Sequence, residues 1–522
     1  MQSVADATAS VLADHPDGLM LSRLVKAVKS SAPVVSRAAV ERVLLRDARF
    51  RRIEVLGRHT WLLDQDWAAE GMDPGPVAVD SRSPLDGLDL RDWQIDAFAK
   101  WAAAGCHGVV EAVTGTGKTR LALAAVRACL ARGGRVLILV PTLDLLGQWR
   151  RELRLHVPGS RVGQLGGGQA DDLHDYEVIL ATPHSAAALP VDLPEGALGL
   201  LVADEAHRYG APTWGQALKP AFGMRLALTA TYERNDDGLV DVLGPYFGGV
   251  VCEYGFVDAA RDGVIAPFDI HFIGVPLTAT ERKSYDVADA RVIHHRRELV
   301  SHGLPKAPLE LIAAAARLSA QAEGLPNTKV RREVVAARAF LSALRARRDV
   351  AAQAGAKMDL VRRLAPQLAR ESTRTLVFTD TVEQAEVAAV ALRRGGVLAE
   401  EIHGDLPGEK RRIRLAQFRN GNLQAVVAPR VLDEGVDVPD AELALVLAAF
   451  RTRRQMIQRL GRVLRLKPDG RAARLIIAYA SDTREDPALG AQEDFLAEVI
   501  GVARAVRTYD LESLGSDPAS TR

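Results

Sequence analysis

The sequence predicts an α/β protein with two doubly wound parallel-sheet domains in tandem, and three observations carry that prediction. Short, apolar, β-branched runs alternate with helical stretches in two separate blocks, 89–255 and 371–485. Each run is apolar throughout rather than alternating, as strands buried on both faces of a parallel sheet require. At 522 residues the chain is too long for one core, and length alone points to about three domains.

The elements justify themselves in order. Residues 1–65 read as a small separate unit. Apolar positions at helical spacing run from Val4 to Leu12, Leu21 to Val28 and Val40 to Leu45, with Ser22 and Ser36 where N-caps belong. Two β-prone runs about Gly57 (FRRIEVLGRHTWLL) follow as a hairpin. Three helices and a hairpin suggest a winged helix, with a recognition helix from Ser36 and a basic wing of Arg51, Arg52, Arg58 and His59. The same fold serves protein contacts equally often, so both uses stay open. Residues 66–88, rich in Gly, Pro and Asp, are a linker.

In the first block the strands are GVVEAV, RVLILV, EVILAT, LGLLVADE and RLALTA; in the second, TLVFTD, LAEEIHG, LQAVVAP, LALVLAA and ARLIIAY. Between the blocks, 256–370 is Ala- and Arg-rich and expected to be a helical connector. Its stretch 291–350 holds twelve Lys/Arg against five Asp/Glu, an excess of 12 − 5 = +7. Such a face is ordinarily solvated surface, but it also suits phosphate. A short helix and tail are expected over 486–522.

Composition narrows the function classes. Hydrophobic residues make up 48% and charged residues 25%, as in ordinary globular proteins, and the formal net charge is +1. Attraction to a polyanion must therefore come from local patches. Cys106, Cys129 and Cys252 form no CxxC pair, which argues against zinc, iron–sulfur and disulfide frameworks. The N-terminus has no apolar signal segment, and no apolar run approaches the roughly 20 residues of a membrane span. A soluble cytoplasmic, nucleoid-associated protein with no membrane partner is the expectation.

The sharpest chemical signal is GVVEAVTGTGKTR. An apolar strand runs into Thr114-Gly115-Thr116-Gly117-Lys118-Thr119 and then a helix. Small residues let backbone N–H groups crowd a β-phosphate, and the helix N-terminus adds partial positive charge. Lys118 suits the β/γ oxygens, and the Thr119 hydroxyl suits Mg²⁺. The GxxxxGK[ST] pattern holds except that Ala112 replaces its first glycine. Downstream, the buried strand LGLLVADE ends in Asp204-Glu205-Ala206-His207. At the C-terminal edge of an open α/β sheet, Asp204 can hold Mg²⁺ and Glu205 can orient and deprotonate an attacking water.

These motifs resemble the superfamily 2 helicases over about 89–485. Leu90-Arg91-Asp92-Trp93-Gln94 is similar to the Q-type motif, where Gln94 is implied to read the adenine edge. Pro141-Thr142-Leu143 and Ala181-Thr182-Pro183-His184 resemble strand-end motifs that touch nucleic-acid backbone; Val377-Phe378-Thr379-Asp380 resembles motif IV. Thr229-Ala230-Thr231 takes the place of a coupling motif, with His207 as its implied partner. Val431 to Pro439 resembles motif V, including Gly435 and Asp437, and Gln455 to Arg465 resembles motif VI. Arg459, Arg462 and Arg465 lie along one helix face. The resemblance implies that Gln458, Arg462 and Arg465 serve the γ-phosphate across a cleft between two RecA-like domains, so that hydrolysis depends on closure.

Gln-Arg-x-Gly-Arg-x-x-Arg, Glu-Gly-Val-Asp-Val-Pro and the trailing Thr483-Arg484-Glu485-Asp486 look like the xeroderma pigmentosum group B (XPB) DNA helicases and restriction-enzyme motor subunits. The winged-helix prefix departs from that pattern. The implied activity is an ATP-dependent DNA helicase or duplex translocase using ATP and Mg²⁺, with protein partners through the N-terminal unit. The alternatives are an RNA helicase, a non-motor DNA-binding regulator, or the motor subunit of a repair or defence complex.

Overall fold

The computed structural model describes residues 8, 10–12, 24–25, 27–28, 40, 44, 50–55, 58–63, 84–234, 236–320, 328–371, 374–429, 441–448, 461, 463–467, 469–489 and 499–515. It divides into two compact units, 1–255 and 256–522.

In the first unit, strands β1 (Phe50–Val55) and β2 (Arg58–Leu63) pair antiparallel, Phe50 opposite Leu63 and Val55 opposite Arg58. This is the hairpin expected about Gly57. Upstream, the described residues are helical, and Leu12, Leu24, Val28, Val40 and Leu44 are buried. The rest of the winged-helix expectation, and the linker up to residue 83, lie outside the described residues.

The ATP-type motifs sit on an eight-stranded sheet. Helix α1 (Asp92–Ala103) leads into β3 (His107–Ala112), α2 (Lys118–Leu130), β4 (Arg135–Leu139) and α3 (Leu143–His156). Then come β5 (Val162–Gly166), β6 (Gln169–Ala170), β7 (Val178–Ala181), α4 (Pro183–Ala188), β8 (Gly199–Asp204), β9 (Met224–Thr229) and β10 (Val250–Tyr254). The order is β10-β3-β9-β8-β4-β7-β5-β6, and every pairing is parallel except β5 with β6. Val136–Leu139 and Leu200–Ala203 are fully buried in the centre, as apolar runs facing helices on both sides should be. On α2, Leu121 to Val126 and Cys129 are buried. Burying each Leu or Val stabilises by about 1.5–3 kcal/mol.

The second unit holds a seven-stranded, all-parallel sheet in the order β13-β14-β12-β15-β16-β11-β17. In chain order its elements are β11 (Phe268–Val275), α5 (Ala279–Ser301), α6 (Pro308–Ala320), α7 (Thr328–Ala352), α8 (Gly355–Glu371), β12 (Thr375–Phe378), α9 (Val382–Arg394) and β13 (Ala399–Glu401). There follow α10 (Gly408–Arg419), β14 (Ala425–Ala428), β15 (Leu443–Val446), β16 (Ala473–Ala480) and β17 (Ala505–Asp510). Helices α5, α6 and α7 share a small core of Val292, Leu299, Leu311, Ala315 and Phe340.

One expectation needs correction. The stretch 256–370 is helical from 279 onward but opens with β11, all of whose side chains are buried between β16 and β17. Asp269 and His271 interrupt its apolar run, so it did not read as a buried strand. Asp269 is tolerated there because Arg504 donates to both its oxygens, at 2.9 and 2.5 Å. After Asp486 comes a 3₁₀ turn at Pro487–Leu489. Residues 490–498, on which the expected closing helix falls, lie outside the described residues; Val499 and Ile500 are helical, and the chain returns as β17. That strand lies at the sheet edge and is mostly exposed, so it lacks the apolar signature of its neighbours.

The helices and the sheet of this unit are tied at the C-terminal end of β16. Arg282 donates to the Ser481 and Asp482 carbonyls at 2.8 and 2.9 Å, and the Glu281 carboxylate accepts from the Gly355 amide at 2.9 Å. Lys357, fully buried, pairs with Glu485 at 2.7 Å. Among the described residues no helix is long and apolar enough to cross a membrane.

Candidate functional site

The candidate ATP site is built on the carboxyl edge of the first sheet. Between β3 and α2 the backbone must turn sharply. Gly115 and Gly117 meet this with φ of +87° and +91°, in the left-handed region that side chains disfavour. A Cβ on Gly117 would also sit 2.6 Å from Gln94 Nε2. Thr116 is buried and donates to the Val113 carbonyl at 2.7 Å, closing the loop on itself.

Helix α2 begins at Gly117 with no side-chain cap. A helix N-terminus carries partial positive charge, which is what a phosphate needs. The Lys118 ammonium lies in the same loop, donating to the Ala112 and Val113 carbonyls at 2.7 and 3.3 Å. These groups fit a nucleotide phosphate, and Thr119, next on the helix, is half-buried.

Gln94 differs from expectation. Its carbonyl accepts from the Arg91 amide at 2.8 Å, while its amide donates to Gly117 and Thr116 carbonyls at 2.9 and 3.3 Å. Both ends are committed to bracing the loop from α1 rather than turned toward a base edge. Arg91 adds a second brace to the Thr116 carbonyl at 2.9 Å.

At the end of β8, Asp204 accepts from the Trp149 indole at 3.0 Å through one oxygen and from the Glu205 amide at 3.0 Å through the other. Burial pushes its carboxyl up, opposed by the Trp149 hydrogen bond, the nearby Lys118 charge and the Glu205 amide. A carboxylate this desolvated, beside Lys118 and with a lone pair left on each oxygen, fits a divalent cation. Glu205 is held at φ 52°, ψ 49°. Left-handed geometry in a non-glycine residue costs on the order of 1 kcal/mol and concentrates at functional sites.

His207 turns back toward β9. Its Nδ1 lies 3.1 Å from Thr229 Oγ1, and Thr229 donates its hydroxyl proton to the Thr231 carbonyl at 2.8 Å. With that proton spent, Thr229 accepts from His207, which fixes the Nδ1–H tautomer. The same Nδ1 is 3.6 Å from Glu205 Oε2. Arg234 donates to the His207 carbonyl, clamping this turn from beyond β9. A hydrogen-bonded path thus runs from His207 through Thr229 to the Thr231 carbonyl, with the Glu205 carboxylate close by but beyond hydrogen-bond distance.

The expected nucleic-acid contacts sit at strand ends. Thr142 follows β4 and caps α3, accepting from the Leu145 amide at 3.3 Å; Thr182 follows β7 and bonds Ser185 at 3.0 Å. Both remain partly accessible. Thr379, after β12, is buried and donates to the Thr381 carbonyl at 3.1 Å, so it holds a turn rather than presenting a hydroxyl. Gly435, Asp437, Gln458 and Arg462 lie outside the described residues; Arg465 is described, its backbone bridging Ile265. Sequence reasoning missed Trp149 and Arg234. Trp149 lies on the buried stripe of α3 with Leu146 and Leu153, and nothing in the spacing separates it from an ordinary core aromatic.

Residues 87–234 match the family model of the type III restriction enzyme res subunit, and 356–467 that of the helicase conserved C-terminal domain. The chain is 31% identical over 385 residues to the DNA 3'-5' translocase XPB2 of Sulfurisphaera tokodaii, covering 73% of this chain and 80% of that protein. It is 26% identical to the DNA 3'-5' helicase XPB of Kineococcus radiotolerans, over 98% of this chain and 81% of that one. A putative DNA 3'-5' helicase Rad25 of Haloarcula marismortui is 30% identical, and the chain spans 54% of its length. In structure, the Hef helicase domain of Pyrococcus furiosus aligns with a TM-score of 0.51 at 20% identity, over 78% of this chain and 98% of that domain.

Proposed function

Because this chain belongs to the XPB-type family of superfamily 2 helicases, we propose that it moves 3′ to 5′ along DNA by hydrolysing ATP at the carboxyl edge of its first sheet. It is an ATP-dependent DNA helicase of superfamily 2. The direction follows that of the XPB relatives. The observation that supports the assignment of residues is the His207–Thr229–Thr231 path, with Glu205 3.6 Å from His207, on the same sheet edge as the phosphate loop.

In this reading the N–H groups of 115–119 and Lys118 hold the β- and γ-phosphates. Thr119 and Asp204 hold Mg²⁺, which when bound neutralises charge on the transferred phosphoryl group. Glu205 orients the attacking water and takes its proton. His207 passes the state of Glu205 to the 229–231 turn. Arg462 and Arg465, with Gln458, serve the γ-phosphate and stabilise charge developing in the transition state. Gly435 and Asp437 support the nucleotide. Thr142 and Thr182 contact DNA backbone, assisted by the basic helices of 291–350. The N-terminal unit supplies duplex or protein contacts.

The test is ATPase rate without nucleic acid and with single-stranded, duplex or forked DNA or RNA, plus displacement of strands bearing 3′ or 5′ tails. Stimulation by DNA above RNA and displacement only with a 3′ tail are expected. Preference for RNA, or for 5′ tails, would sink the reading.

A further inference from the structure

We propose that Trp149 is a positioning residue for the metal-binding carboxylate: its buried indole N–H fixes Asp204 in the orientation that receives Mg²⁺. The proposal rests on the reading of Asp204 as a metal ligand. Trp149 is 1% exposed on α3, and its Nε1 donates to Asp204 Oδ2 at 3.0 Å. A buried tryptophan usually finds an acceptor for its N–H; Trp93, whose Nε1 has none, is the exception among the described residues. Trp101, equally buried, solves this on a backbone carbonyl, that of Arg225, at 3.0 Å. Trp149 instead spends its N–H on the side chain of the motif that holds the catalytic carboxylates.

The geometry is specific. The other oxygen of Asp204 accepts from the Glu205 amide at 3.0 Å, so each oxygen has one donor. Two donors on opposite oxygens stop the carboxylate from rotating, while each oxygen keeps a lone pair for a cation or its water shell. The Glu205 amide follows whatever strain its left-handed residue carries. The indole is set by packing on a separate helix. Trp149 therefore anchors Asp204 independently of the turn that moves with Glu205 and His207. Outer partners that orient metal ligands typically change metal affinity about 10–100-fold when removed.

Trp149→Phe retains an aromatic side chain and removes the N–H. In the full-length protein, binding of a fluorescent non-hydrolysable ATP analogue is followed across a Mg²⁺ titration and again in EDTA. The Mg²⁺ concentration for half-maximal tightening should rise about tenfold or more, with affinity in EDTA unchanged. Asp204→Asn should abolish the Mg²⁺ response, and adding Trp149→Phe to it should change nothing further. If Trp149→Phe superimposes on the parent while Asp204→Asn loses the response, the positioning role falls and the site reading stands. If Asp204→Asn keeps the response, both fall. Should Trp149→Phe not fold, the indole N–H resonances of the protein's six tryptophans give a second measure. Asp204→Asn should shift one of them markedly, and an unchanged set overturns the proposal.

Discussion

Each residue of the phosphate site is where it is because its backbone or its charge leaves no alternative. Glycine at 117 meets both a left-handed φ and the close approach of Gln94. Glu205 has no such excuse: it keeps a left-handed backbone that a glycine would adopt more cheaply. In this conformation the Glu205 carboxylate lies 3.6 Å from His207 Nδ1. Glu205→Gln should bind ATP as the parent does and slow turnover by on the order of 10²–10⁴-fold, the usual worth of a general base. Lys118→Ala should weaken nucleotide binding as well; single-turnover assays and equilibrium binding separate the two, and a parental rate in Glu205→Gln would remove it from the chemistry. Arg462→Ala should lose about 10³-fold or more in turnover with nucleotide affinity retained, because an arginine finger acts on the transition state. A matching loss of affinity with little change in rate would count against that role. The turn of 114–119 between strand and helix was legible in the sequence because a glycine-rich loop in that context is a rare pattern. Trp149 was not, since a core tryptophan and one holding a carboxylate look alike until the helix is packed.

At the scale of elements, the strands read from sequence are β3, β4, β7, β8, β9 and β12 to β16, most of them apolar runs, with Glu111 in β3 and Glu400 and Glu401 in β13 as exceptions. Of those that escaped, β5, β6, β10, β11 and β17, the last two have a reason in their residues. β11 carries Asp269 and His271 inside a buried strand, and β17 shows solvent most of its length. The two strands explain each other through Asp269 and Arg504. The Arg504 hydrogen bonds hold the Asp269 carboxyl below its usual range despite burial. Its folded-state pKa is therefore depressed, so the pair stabilises at neutral pH, above the ordinary carboxylate value of about 3.9. That stability fades as pH falls through the lower folded value. Arg504→Met should be less stable than the parent at pH 7, and the gap should close toward pH 3 in urea unfolding; a gap that is constant with pH would deny the pair this role. Lys357 and Glu485 pose a harder case, a pair with almost no solvent. Lys357→Ala leaves the carboxylate buried without its partner and should cost about 3–5 kcal/mol, whereas Lys357→Met with Glu485→Leu should be near neutral. If the single variant unfolds at the parental urea concentration, the pair does not pin α8 to the end of β16.

For the whole molecule the deciding quantity is charge. A net charge of +1 cannot hold DNA by bulk attraction, so binding must come from local features that face phosphate. A stepping motor also has to grip every register of its track with similar energy, or it would stall at its best site. Hydroxyls and backbone amides at strand ends meet that demand because they suit phosphate oxygens and carry no base code. Thr142 and Thr182 are so placed, whereas Thr379 is spent inside its turn. The basic stretch 291–350 adds seven excess positive charges to the second unit, on helices that share a small core of their own. Arg347 and Arg348 are already paired with Asp289 and Asp349 at 2.6 and 2.7 Å, which leaves the other basic residues of the stretch as those a polyanion could engage. Six engaged phosphates would give a slope of log affinity against log salt of about −5 on duplex DNA. The measurement is binding of the full chain and of residues 66–522 to several unrelated duplexes across a salt series. Both should show the steep slope, and any sequence preference should vanish with residues 1–65, whose helices and hairpin are the elements suited to a groove. A flat salt response, or a hundredfold preference surviving in the shorter fragment, would mean that the motor reads bases, and the phosphate-grip argument would fail.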